Sequence, residues 1–147
     1  MYTKINEKDS AMKLGAIYSK EKTTFTLFSP VADSVFVIFY DKGNDSAEKG
    51  RLEMMRGEGE LRSIFSATAE GNLDGVYYTY EVHTSDGTFS SHDPYARACG
   101  VNGHRSMVID LSKTDPDGFA DEDRPKLADP MSMVITEVSV ADVSAGA

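Results

Sequence analysis

The chain of 147 residues carries 24 Asp and Glu against 15 Lys and Arg, which gives a formal net charge of −9 at pH 7. That balance argues against a nucleic-acid partner, because binding to a phosphate backbone needs clustered cations. The length and the 40% apolar fraction allow one packed domain, and no apolar run is long enough to suggest a membrane span or a signal peptide.

The first predicted strands follow a polar segment at the beginning of the sequence. Residues 1–13 predict a flexible arm, and strands begin from Leu14 onward. The alternation of residues 22–28 predicts a strand with two distinct faces. One face holds Thr23, Phe25 and Leu27, and the other holds Thr24, Thr26 and Phe28. The continuous apolar run of residues 35–40 predicts a strand that is buried on both faces.

Further strands are predicted at residues 51–56 and 61–68, and the Ser85-Asp86-Gly87 turn predicts a hairpin of the strands on either side of it. In that hairpin Tyr78, Tyr80 and Val82 share one face. Residues 105–111 predict one more short strand. Seven or eight short antiparallel strands over residues 14–111 predict an all-β, immunoglobulin-like sandwich with extended arms at both ends.

The composition changes after residue 111. Residues 112–132 contain three prolines and many acidic side chains, which predicts an extended acidic linker. The glycine in this segment is misplaced for a helix-loop-helix calcium loop, so no calcium site is predicted. Residues 133–140 then form an apolar run that predicts a strand near the end of the chain.

No catalytic set, metal site or cofactor site is predicted. His83, His92 and His104 lack the short spacing of metal ligands. The single cysteine, Cys99, has no partner for a disulfide and suits a reducing compartment, where we expect it to be a small buried apolar residue. Together with the lack of a signal peptide, this predicts a cytoplasmic protein of a bacterium.

Four segments, in order, resemble the amino-terminal part of type I pullulanases, the α-1,6-debranching enzymes of glycoside hydrolase family 13. They read LGAIYSKEKTTFTLFSPVADSVFVIFYD, FSATAEGNLDGVYYTYEV, SSHDPYARACGVNGHRSMVIDLSKTDPDGF and VITEVSVADVS. The resemblance covers residue 14 to about residue 144. In that family an immunoglobulin-like sandwich, a family 48 carbohydrate-binding module, precedes a (β/α)₈ catalytic barrel.

The resemblance implies a non-catalytic accessory domain. A (β/α)₈ barrel needs about 250 residues, so the family's catalytic residues have no counterpart here. Residues 133–147 resemble a stub of the first barrel strand, in which Thr136, Ser139, Ala141 and Val143 replace larger or charged residues of the family pattern. We expect this strand to fold back on its own sandwich or to pair with a second copy of the chain. The implied partners are the missing catalytic domain and an α-glucan such as pullulan, glycogen or a starch oligosaccharide, bound weakly.

Phe89 is the candidate sugar contact that the resemblance implies. Glycan modules stack aromatic rings on sugar faces, and Phe89 occupies the place of a tryptophan in glycogen-binding relatives, whereas Glu81 stands where those relatives carry an assisting lysine. Phe28 and Phe65 are expected to be core residues instead. The alternative is a structural or protein-interaction sandwich without a carbohydrate ligand; a small stand-alone enzyme is disfavoured, because no nucleophile and base can be named.

Overall fold

Nine antiparallel strands between Gly15 and Met107 form the body of the part of the chain that the structure describes. The structure is a computed structural model, and it describes residues 13–123 and 126–145. The predicted all-β, immunoglobulin-like sandwich is confirmed. The strands are β1 (Gly15–Tyr18), β2 (Lys22–Phe28), β3 (Ser34–Tyr40), β4 (Glu48–Arg56), β5 (Ile64–Glu70), β6 (Tyr77–Thr84), β7 (Gly87–Ser91), β8 (Ala98–Cys99) and β9 (Ser106–Met107).

The strands belong to one curled sheet in the order β1-β2-β5-β4-β3-β6-β9-β8, with β7 also paired to β6. Strand β4 connects the two layers of the sandwich. Most of β4 pairs with β3, from Glu48 opposite Tyr40 to Met54 opposite Val35. Its last two residues, Met55 and Arg56, pair with β5 in the other layer. One shared strand therefore links the two layers into a single open sheet with β1 and β8 at its ends.

The core lies between the two layers and follows the predicted alternation. Phe25 and Leu27 of β2 point inward, and Phe25 packs edge to face on Tyr78, with ring centroids 5.0 Å apart. In β3, Val37 and its neighbour Ile38 are both buried although they point to opposite faces, as the continuous apolar run predicted. Burying one apolar side chain of this size contributes about 1.5–3 kcal/mol to folding.

Two predicted core residues lie at the surface instead. Phe28 is 54% exposed, because as the last residue of β2 it falls on the outer face of the strand, opposite in direction to Leu27. Cys99 is exposed as well, because it lies in the two-residue strand β8 at the edge of the sheet. Phe65 is confirmed as a core residue, with the Arg56 guanidinium 4.8 Å from its ring centroid.

The connection between β3 and β4 packs closely against the segment that follows β8. A methyl group on Gly100 would lie 2.5 Å from the Cα atom of Gly43 and 3.0 Å from the ring of Tyr77. Arg105 fastens the same connection, since its guanidinium donates to the Lys42 carbonyl over 2.8 Å and lies 3.5 Å from the ring centroid of Tyr40. Both glycines are therefore required by close approach of the backbone.

Gly100→Ala is expected to lower the free energy of unfolding by about 1–3 kcal/mol, because the added methyl group must push two backbone segments apart. Urea denaturation of the variant and the parent chain measures this loss. Gly50→Ala is the matched control, since a methyl group at Gly50 meets no atom within 4 Å. The control should change stability by less than about 0.5 kcal/mol. Equal losses for the two variants would contradict the close-approach argument.

A second compact unit begins at Asp115. Its described residues form short 3₁₀ turns at Phe119–Asp121 and Pro130–Ser132 and one helix, α1 (Val140–Ser144). The predicted strand at residues 133–140 is wrong. Residues 133–139 have no strand partner among the described residues, and Ser139 begins α1 by accepting a bond from the Asp142 amide through its side chain. Val134 is 91% exposed, and the expected pairing of this segment with a second copy of the chain stays a prediction.

The predicted flexible arm of residues 1–13 lies outside the described residues except for Lys13. Among the helices that the structure describes, none combines the length and apolar character needed to cross a bilayer.

Candidate functional site

Phe89, the predicted sugar contact, lies at the middle of β7 on the edge of the sheet. It stands directly opposite Val82 of β6, so both side chains point to the same face of the hairpin. Val82 packs against the core, whereas Phe89 extends past the core and is 54% exposed. The fold thus presents one aromatic ring at an open edge, held by a five-residue strand.

The structure does not bring Glu81 to Phe89. Glu81 pairs with Ser90, the residue after Phe89, and neighbouring residues of a strand point to opposite faces. The Glu81 carboxylate accepts a hydrogen bond from Arg51 over 3.2 Å, and its Oε1 lies 2.9 Å from His83 Nε2. Glu81 therefore belongs to a different surface from the candidate sugar contact.

That outer surface carries a polar network around Phe36. The Arg51 guanidinium lies 5.8 Å from the Phe36 ring centroid and donates two hydrogen bonds to Glu48, of 2.8 and 2.9 Å. These bonds hold the pKa of the Glu48 carboxyl below its usual range. His83 packs edge to face on Phe36 at 5.4 Å. Arg51 thus links Glu48 and Glu81 in one network on this face.

Asp93 anchors the segment that follows β7. Asp93 is buried, with 2% of its surface exposed. Its Oδ2 accepts hydrogen bonds from the hydroxyls of Tyr78 and Tyr80 over 2.7 and 3.1 Å. Its Oδ1 accepts from the Tyr95 amide over 2.8 Å, while its own amide donates to Ser106 over 2.8 Å. Both carboxylate oxygens and the amide of Asp93 are therefore hydrogen-bonded inside the fold.

Burial and the neighbouring charge of Asp93 raise the pKa values of Tyr78 and Tyr80 far above the usual range of a phenol. Sequence reasoning did not identify Asp93. The available signal was the inward face shared by the two tyrosines, whose buried hydroxyls need an acceptor.

Phe89 lines neither of two clefts that open on the described surface of the first unit. The first, of about 280 Å³, runs along β1. Its lining includes Lys13, Tyr18, Arg97, Asp110 and Leu111. The second, of about 350 Å³, is lined by His92, Asp93, Ala96, Cys99, Asn102 and Ser106. No group of three His, Cys, Asp or Glu side chains among the described residues is arranged to hold a metal ion.

Comparison with protein families identifies a match. The model of carbohydrate-binding module 48, described as the isoamylase N-terminal domain, matches residues 13–96. Pullulanase A of Streptococcus pneumoniae serotype 4 is 31% identical over 116 residues, which are 74% of this chain and 9% of the relative. Pullulanase of Bacillus subtilis is 30% identical over 98 residues, 66% of this chain and 13% of the relative. The chain thus spans only a small part of the curated relatives it matches.

Solved structures are similar to most of the chain. Pullulanase from Bacillus acidopullulyticus superposes with a TM-score of 0.73 and 34% identity, over 80% of this chain and 14% of that one. Pullulanase from Paenibacillus barengoltzii, crystallised in complex with maltohexaose and alpha-cyclodextrin, gives a TM-score of 0.74 and 34% identity, over 80% of this chain and 18% of that one.

Proposed function

Because the chain belongs to the carbohydrate-binding module 48 family, whose members are non-catalytic, we propose that it serves an α-glucan debranching enzyme as an accessory module that binds α-glucan weakly through Phe89. The described residues form antiparallel strands and short helical turns, without a unit of a (β/α)₈ barrel among them. The reaction of a debranching enzyme would take place in a separate catalytic domain.

The exposed ring of Phe89 carries the proposal. An aromatic ring on a strand binds the apolar face of a glucose unit at little entropic cost, because the side chain has only two torsions to fix. Phe89 is 54% exposed, so part of its ring is accessible to a ligand. One ring without a neighbouring cleft supports only weak binding, on the order of −4 kcal/mol, which is a millimolar dissociation constant.

The ligand class follows from a structural relative. The Paenibacillus barengoltzii pullulanase is described in complex with maltohexaose and alpha-cyclodextrin, both α-linked glucose oligomers. These two compounds are therefore suitable first ligands for this chain. The matched part is 18% of the relative, so that complex does not assign either ligand to the module.

Phe89→Ala is expected to remove α-glucan binding. Titration of maltohexaose or alpha-cyclodextrin, followed by amide chemical shifts, should give a millimolar dissociation constant for the parent chain and at least a tenfold weaker one for the variant, about 1.4 kcal/mol. Phe28→Ala is the matched control, because Phe28 is also 54% exposed but lies on the outer face of β2. It should bind as the parent does.

A parent chain that is folded yet shows no shifts at millimolar ligand would overturn the proposal. That result would favour the second candidate, a packing platform for another domain. One observation supports this candidate: Phe28 and Ile64 stand opposite each other on the outer face of β2 and β5, and Met55, 73% exposed, stands opposite Ser66 on that face. Exposed apolar groups in one area are typical of interaction surfaces.

A further inference from the structure

The outer edge of β7 is open. Strand β7 pairs with β6 on one side, and no described strand pairs with its other side. All five residues, Gly-Thr-Phe-Ser-Ser, are exposed. Natural edge strands are usually protected from pairing by charged side chains, proline or a bulge. Strand β7 has neither a charge nor a proline, and its register with β6 is regular.

The register shows which backbone groups face outward. Thr84 and Gly87 flank the two-residue turn and form the first hydrogen-bonded pair, so the pairs alternate from there and Phe89 bonds to Val82. The carbonyl of His83 supports this assignment, because it points away from β7 and accepts from the Asp33 amide over 2.7 Å. The amides and carbonyls of Thr88 and Ser90 therefore point to the open edge.

We propose that this edge pairs with β7 of a second copy of the chain, antiparallel and around a two-fold axis at Phe89. Thr88 of each copy would then stand opposite Ser90 of the other, which makes four backbone hydrogen bonds. The two Phe89 rings would form a directly opposed pair without hydrogen bonds, in which the Cα atoms are about 4.5 Å apart. This inference does not rest on glucan binding, although a second copy and a glucan would compete for Phe89.

The open edge of β7 favours a second copy of the chain as its pairing partner. An antiparallel pair centred on Phe89 is self-complementary in both hydrogen bonds and side chains, as a two-fold interface requires. The short uncharged strand makes a small interface, and the net charge of −9 on each copy opposes association. We therefore expect a weak dimer that salt strengthens by screening this repulsion. The free edge at β1 is less suited, because charged Lys13 and Arg97 line the cleft beside it.

Crosslinking tests the pairing at the position where the two-fold axis crosses the strand. Phe89→Cys in a Cys99→Ser background should oxidise to a disulfide-linked dimer, because the expected Cα separation lies within the range of about 4.4–6.8 Å that a disulfide spans. Lys20→Cys in the same background is the control, since Lys20 is exposed in the turn after β1. The dimer should form at least about tenfold faster for the Phe89→Cys variant, because pairing concentrates the two thiols.

Sedimentation velocity tests the same interface in chains that keep Phe89. The mass of the parent chain should rise from 16.0 kDa toward twice that value between micromolar and millimolar concentration. Ser90→Pro removes an outward donor, and Ser90→Ala retains it. Ser90→Pro should stay monomeric while Ser90→Ala associates. Equal crosslinking rates for the Phe89→Cys and Lys20→Cys variants, or a parent chain that remains monomeric at millimolar concentration, would overturn the proposal whatever the outcome of glucan titration.

Discussion

Replacing Asp93 by alanine is expected to lower the free energy of unfolding by about 3–5 kcal/mol, because it leaves three donors without their acceptor, and this is a large share of the stability of a small domain. The substitution removes the acceptor of both Tyr78 and Tyr80 hydroxyls and of the Tyr95 amide. The two hydroxyls are inside the core, where a donor without an acceptor costs about 1–3 kcal/mol. Urea denaturation followed by circular dichroism measures the loss.

Asp93→Asn is the informative control for this prediction. The asparagine has the same shape and keeps one side-chain carbonyl, so one acceptor remains for the tyrosines while the other oxygen becomes a donor. We expect a smaller loss than for alanine, on the order of 1–2 kcal/mol. An alanine variant within about 0.5 kcal/mol of the parent would show that water or a rearranged partner replaces the carboxylate, and would refute the anchoring role of Asp93.

The chain is expected to lose stability steeply above pH 10. The usual phenol pKa is 10.0, and burial followed by the charge of Asp93 raises the pKa of Tyr78 and Tyr80 in the folded protein. Below pH 10 both phenols hold their protons in the folded and in the unfolded chain. Above it the unfolded chain releases two protons that the folded chain retains, so stability falls by about 1.4 kcal/mol per pH unit for each tyrosine.

Tyrosinate absorbance and urea midpoints between pH 9 and pH 12 check this prediction. Two of the seven tyrosines should ionise only when the chain unfolds. Tyr80→Phe provides the control: it should be less stable at neutral pH through the lost bond to Asp93, but its stability should fall about half as steeply above pH 10. Ionisation of all seven tyrosines in one step within the folded chain would contradict the raised pKa values.

Alternation of side chains predicted β2 and the hairpin of β6 and β7, because one buried face imposes a period of two, whereas the two-residue strand β8 was not predicted. The same rule places Phe28 on the face opposite Phe25. The exposure of Phe28 follows from this position, although its apolar character favoured the core. Glu81 and Phe89 show a similar limit. Their opposite directions follow from the length of the Ser85-Asp86 turn, whereas the resemblance only matched Glu81 to a lysine that assists sugar binding in relatives.

Other features depend on contacts that no single segment contains. The apolar run at residues 133–140 has the composition of a strand, but a strand exists only with a partner, and the described residues supply none. Cys99 has the size and polarity of a core residue and becomes exposed because β8 is an edge. Asp93 is part of the core only because Tyr78 and Tyr80, more than ten residues earlier, direct their hydroxyls to it.

Strand β4 gives the module a mechanical property. Since Glu48–Met54 pair with one layer and Met55–Arg56 with the other, continuous backbone hydrogen bonds lead from β2 and β5 round to β6 and β7. Neither layer can swing away from the other like a hinge without breaking that strand. A force applied to β7 is therefore carried through backbone hydrogen bonds to both layers of the sandwich.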